Sequence, residues 1–287
     1  MRDIACRIAT AIISIAFFSF CFSGCASVGI AVPSSYGAFL SEEKAGFAIK
    51  YYDIDYIQAK RISDTISNVM AFYRTNFADT ELRKFTVYVY HTQEDLVHGL
   101  VACGGLSYES ARRFARSGAP RPLKGLFHVP ITLDLRTIAH ETMHMYVEAV
   151  SGSAYQRIKW LDEGLGEYMS YLFWKQASPD SAVTAKINEY NAFLSQNRDR
   201  FISLDRICAE SQWTGLNTGS TSSLIYHQAF LVVGMLAKQD GLEKIKQVLV
   251  AVRDGMAAET ACQSVLSRSQ ADIYEELVNL EKVDGLL

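Results

Sequence analysis

His140-Glu141-Thr142-Met143-His144 and, further on, Trp160-Leu161-Asp162-Glu163-Gly164-Leu165-Gly166-Glu167-Tyr168 are the two stretches of this 287-residue sequence that decide its fold. Both lie in segments with a helical period. Two histidines four residues apart face the same side of a helix, so both imidazoles can reach one ion at about 2.0–2.1 Å. Glu141 sits about 100° around the helix from His140, beside that ion, where it can hold a water. The first motif alone arises by chance often enough to be only suggestive. The second segment adds a fixed offset: 18 residues separate His144 from Glu163, again on a helix.

At this point the chain resembles the gluzincins, zinc peptidases that carry HExxH and a glutamate ligand on the next helix. Within them it is most similar to the peptidase MA-like, thermolysin-like group, whose second motif often reads like WLxEGxxEY. The resemblance implies an α+β, zincin-like fold: a small mixed sheet lobe with an antiparallel edge strand, then a mainly helical C-terminal lobe, with the active site at the seam. It also implies Zn2+ held by His140, His144 and Glu163, with one coordination position open, as in catalytic sites. Metzincins are excluded, because Val147 and Val150 stand where they need Gly and His. Asp162 could serve zincins with an Asp ligand, but neighbouring helical positions point about 100° apart and only one can face the metal. The family spacing selects Glu163.

The mechanism implied is peptide-bond hydrolysis by metal-activated water, with Glu141 as general base and then proton donor to the leaving amine. Related enzymes supply a Tyr or His from the helical lobe to the tetrahedral oxyanion. Tyr226 is the first candidate here and His227 the second, with core packing or a surface position as the plainer alternatives. Glu167, four residues beyond Glu163, either accepts the free ring N–H of a zinc histidine or is a helix-surface glutamate. His91, His98 and His128 have no ligand spacing and read as ordinary residues. Leu224, Leu231, Val232 and Met235 form a core stripe.

Outward from the motifs, Phe47, Ile49 and Tyr51 alternate as a strand, and residues 54–77 carry an amphipathic helical pattern. Lys84 to Tyr90 (KFTVYVY) is the clearest strand, and 125–131 (GLFHVPI) is another, which Pro130 should end or confine to an edge. By the resemblance, that strand is the edge strand that would pair with an extended peptide. From Asp134, a helix cap, the period turns helical: 134–152, 160–176, 180–197 and 223–239, then two more helices, with 211–223 as a polar loop. The strand-containing lobe covers about 46–133 and the helical lobe about 134–287.

At the N-terminus, Arg2 and Arg7 flank a short polar start, followed by a run from Ile8 to Phe22 that is apolar except for Thr10, Ser14 and Ser19. Fifteen helical residues span about 22 Å, short of a roughly 30 Å hydrocarbon core, so residues 1–24 read as an export signal. Phe22-Ser23-Gly24-Cys25 resembles the lipobox of bacterial lipoproteins, which implies acylation of Cys25 and a membrane partner through that lipid anchor. Ordinary signal cleavage nearby is the alternative. Residues 25–45, rich in Gly, Ser and Pro, read as a tether. The catalytic domain is expected outside the cytoplasm in the bacterial cell envelope, at the outer membrane in a two-membrane host.

Composition adds limits. With 49% hydrophobic residues and 30 Phe and Tyr, disorder is excluded as the main state, and a net charge of −3 offers no field for nucleic acid. Cys103, Cys208 and Cys262 allow at most one disulfide and read as buried thiols. The expected partner is a peptide or protein substrate. Two alternatives share these residues: a non-catalytic, zinc-stabilised envelope scaffold, and a zinc amidase acting on cell-wall peptides.

Overall fold

A run of β-branched and aromatic residues such as Phe85–Tyr90 (FTVYVY), buried at five of its six positions, suits the interior of a parallel sheet covered on both faces. The computed structural model describes residues 38–117, 121–123, 126–131, 134–283 and 285–286. The expected export signal, Cys25 and the first part of the tether lie outside the described residues. Strands β1 (Leu40–Glu43), β2 (Phe47–Tyr51), β3 (Phe85–Tyr90), β4 (Arg121–Leu123) and β5 (Leu126–Pro130) make one sheet in the order β1-β2-β3-β5-β4. The central β2, β3 and β5 are parallel, and β1 and β4 run antiparallel at the two edges.

Register sorts the side chains. Ile49 pairs with Val87, and Val87 with Phe127, giving a buried row across the sheet. That row packs in the main core with Ile62, Ile66 and Val69 of α1 (Tyr56–Asn76). Tyr88 and Tyr90 belong to a second apolar cluster with Leu96, Val97 and Leu100 of α2 (Gln93–Ala102) and Ala111 and Ala115 of α3 (Tyr108–Ser117).

The remaining elements are helical: α4 (Leu135–Ser151), α5 (Lys159–Ala177), α6 (Asp180–Asn197), α7 (Glu210–Leu216), α8 (Gly219–Gln239), α9 (Gly241–Arg253), α10 (Ala258–Leu266) and α11 (Gln270–Val278). Asp134 caps α4 by accepting the Arg136 N–H at 3.2 Å, and Gly152 ends it with φ 58°, a conformation that favours glycine. Helix α1 braces α4 twice: Tyr73 donates to the Ala139 carbonyl at 2.9 Å, and Tyr146 donates to that of Met70 at 3.0 Å. Trp160 at the start of α5 donates its indole N–H to Gln270 of α11 at 3.0 Å. Among the described residues, no helix is long and apolar enough to cross a membrane.

Four expectations need correction. Strand 125–131 is not the edge: β5 is parallel and interior, and β4 covers it, a three-residue strand whose central Pro122 hides it from pattern reading but is tolerated at an edge. Pro130 is the last residue of β5, where its missing N–H removes nothing from the ladder interior. Residues 40–43, inside the expected tether, form β1. The expected polar loop 211–223 instead holds α7, anchored by buried Trp213, and the first turn of α8. Three helices, not two, follow α8, because Ser267 in the left-handed region (φ 57°) and the capping Ser269 divide the last stretch.

Candidate metal centre

Each ligand position is fixed by the helix that carries it. Helix α4 presents His140, Glu141 and His144, and α5 presents Asp162, Glu163 and Glu167. One ligand atom each from His140, His144 and Glu163 lies within 4.8 Å of the others, the only such group of three among the described residues. HExxH plus Glu163 thus forms the clustered arrangement typical of catalytic gluzincin peptidases.

The hydrogen bonds explain why this cluster suits a cation. His144 Nδ1 lies 2.7 Å from Asp162 Oδ1, and His140 Nδ1 lies 3.2 Å from Glu167 Oε1. A carboxylate can only accept, so each Nδ1 carries its proton and each Nε2 turns a lone pair inward. The two Nε2 atoms are 3.0 Å apart, with Glu163 Oε2 at 3.3 Å from one and 3.5 Å from the other. With both imidazoles neutral, three acceptors converge on one point. Two imidazoles and one carboxylate are a donor set that suits a borderline-soft divalent ion.

Charge points the same way. Glu141, Asp162, Glu163 and Glu167 are buried or half-buried around the site, against Lys159 and Arg136 as the cations paired with them among the described residues. With neutral imidazoles, a divalent cation closes that difference. Without one, protons take its place. Burial works against charging His144, but Asp162 and Glu163 outweigh it and hold its pKa up at about 9. His140 is raised too: burial again opposes, and Glu163 and Glu167 prevail. Burial would raise Glu163, yet His144, Lys159 and His140 hold it well below the ordinary carboxylate range. For Glu167, burial is overcome by His140 and by Arg136, whose Nη2 donates to Oε2 at 3.0 Å.

An open cleft of about 250 Å³ lies over the cluster, lined by Asp134, Arg136, His140, Glu141, Glu167 and Tyr226 among others. The Tyr226 ring centroid is 6.4 Å from that of His140 and 5.2 Å edge-on from Trp213 of α7, which fixes its orientation. Burial chiefly raises its phenol pKa, keeping it protonated and able to donate. His227 turns away: it stacks on Phe193 of α6 at 4.4 Å, and its Nδ1 lies 2.8 Å from the Ser223 carbonyl.

Some residues at the site carried no signal strong enough to single them out from sequence. Asp162, weighed only as a rival ligand, contacts His144 instead. Lys159 lies one turn before Asp162 and Glu163 and touches both carboxylates; its spacing was available, but a lysine at i and acids at i+3 and i+4 usually mark a solvated helix face. Gly166 is needed for space: a Cβ there would lie 2.8 Å from His140 Cε1. His128 is fully buried, with Nδ1 at 2.9 Å from the Tyr90 hydroxyl, far from any ligand role. Cys103, Cys208 and Cys262 are all outside disulfides.

No family model matches the chain. No curated protein matches it either. Among solved structures, it is similar to an M1 zinc metallopeptidase from Deinococcus radiodurans, with 15% identity and a TM-score of 0.45, over 83% of this chain and 50% of that one. It is also similar to native yeast LTA4 hydrolase, with 10% identity and a TM-score of 0.46, over 88% of this chain and 39% of that one. The chain therefore corresponds to half or less of the length of these proteins.

Proposed function

We propose that the protein is a zinc metallopeptidase of gluzincin type, tethered through a lipid on Cys25 in the bacterial cell envelope and acting on a peptide or protein substrate. The observation that carries the catalytic reading is the convergence of His140 Nε2, His144 Nε2 and Glu163 Oε2, with both Nδ1 atoms held by carboxylates. When bound, zinc would polarise the scissile carbonyl and lower the pKa of a water at the open position.

The chain's own groups supply the rest. Glu141 lines the same cleft as His140. Its carboxylate takes a proton from the attacking water and passes it to the leaving amine, work typically worth about 10²–10⁴-fold in rate. Tyr226, which lines the same cleft, donates a hydrogen bond from its phenol to the developing oxyanion. Glu167 and Asp162 fix the imidazole tautomers and raise ligand basicity. Arg136 holds Glu167 in place and lies open to the cleft.

Export and lipidation rest on the apolar run Ile8–Phe22 and on Phe22-Ser23-Gly24-Cys25. The decisive experiment compares wild type with Glu141→Gln on a broad peptide library, with zinc content measured in both. The expected result is equal zinc and a loss of cleavage of at least about 100-fold. Equal cleavage by the two proteins contradicts the peptidase assignment. Zinc without cleavage in either protein favours a scaffold.

A further inference from the structure

The ammonium of Lys159 is almost fully buried and ends among three carboxylates. Nζ donates to Asp162 Oδ2 at 2.6 Å and pairs with Glu163 Oε1 at 2.9 Å and with Glu210 Oε2 of α7 at 3.5 Å. Nζ also lies 5.6 Å from the Tyr155 ring centroid, and the Lys159 backbone N–H donates to the Cys208 carbonyl at 2.6 Å. A lysine carries three N–H donors, and three acceptors surround this one. Burying a charge is costly unless such partners satisfy it, so its position is fixed from all sides.

The consequence concerns the two oxygens of Glu163. Lys159 occupies Oε1, which leaves Oε2 to face the Nε2 atoms of His140 and His144. The same ammonium holds Oδ2 of Asp162, whose other oxygen accepts from His144 Nδ1 at 2.7 Å. One cation therefore orients two of the three ligands, one directly and one through Asp162. Glu210 ties it to α7, the helix whose Trp213 packs against Tyr226.

We propose that Lys159 is a positioning residue of the metal centre, holding Glu163 to coordination through Oε2 alone and keeping the Asp162–His144 pair in register. The inference rests on the metal-centre reading above. A lysine serving only to pack α5 against α7 would stabilise the fold without altering the coordination of an added ion.

The test uses the full chain, stripped with a chelator and titrated with Zn2+ against a chromophoric competitor, and separately with Co2+ while the visible d–d bands are recorded. Wild type is expected to bind one ion with the intense bands of a four-coordinate site. In Lys159→Met, zinc affinity should fall about 10–100-fold, and the Co2+ bands should weaken as the released oxygen of Glu163 also reaches the ion. An unchanged affinity and spectrum in a folded Lys159→Met protein overturns the proposal, even where its melting temperature falls. If that variant does not fold, X-ray absorption of the zinc-loaded wild type decides: one short carboxylate oxygen supports the proposal and two overturn it. A wild type that binds no ion defeats the metal-centre reading and this inference with it, an outcome seen before any variant is made.

Discussion

Gly166 shows how little room a residue at this site has. Its missing Cβ is the space in which the His140 imidazole lies, with Cε1 at 2.8 Å and both ring nitrogens at 3.0 Å from where that atom would be. In Gly166→Ala the ring must move while the helix, if anything, gains propensity. The expected outcome is a 10–100-fold loss of zinc affinity by competition titration, with helix content by circular dichroism unchanged. His128 makes a second prediction, about stability. Burial pushes its pKa down from 6.5 to about 4, so the unfolded chain takes up a proton first as pH falls. Stability is complete above about pH 6.5 and is lost as pH falls toward 4, by about 3 kcal/mol for this group. Urea unfolding at pH 7 and pH 4 should show a loss smaller by that amount in His128→Phe than in wild type. An equal loss in both proteins contradicts the burial account of His128.

At the scale of elements, the centre depends on how closely α5 can approach its neighbours. A Cβ at Gly164 would meet the Ala229 carbonyl oxygen at 2.5 Å and Val233 Cγ2 at 2.6 Å, both on α8. Backbone cannot yield as a side chain can, so Gly164→Ala should separate α5 from α8 and cost about 1–3 kcal/mol in urea unfolding. An unchanged midpoint would mean the helices are not in the contact described. The elements nearest the motifs were also the most legible in the sequence: Asp134 and Gly152 bracket α4, and the pattern of FTVYVY marks β3, because caps and periodicity are local properties. Strand β4 and helix α7 were not legible for the same reason. Arg121-Pro122-Leu123 is a strand only by virtue of its pairing with β5, and α7 stands on one buried tryptophan within a polar stretch. The interior place of β5 likewise follows only once Arg121-Pro122-Leu123 is known to pair along its outer side.

For the whole molecule, the seam between sheet and helical lobes concentrates negative charge in a buried place, and the cation that balances it should stabilise the fold. An ion held at 100 times its dissociation constant adds about 2.7 kcal/mol, or roughly 5–10 °C in melting temperature for a domain of this size. Chelator-stripped protein should melt that much lower and recover on addition of zinc. The ligand trio was legible in the sequence because HExxH and the offset to Glu163 are fixed by two adjacent helices. Lys159, Arg136 and the turned-away His227 were not, because their roles depend on which side chains the packing of α5, α6 and α7 brings around them. The claim at the centre is that His140, His144 and Glu163 hold one zinc ion. The most direct measurement is zinc stoichiometry by elemental analysis after dialysis, for wild type and Glu163→Ala in parallel. One ion per wild-type chain and substoichiometric zinc in the variant is the result expected. A wild type without zinc, or a variant that retains a full equivalent, would contradict it.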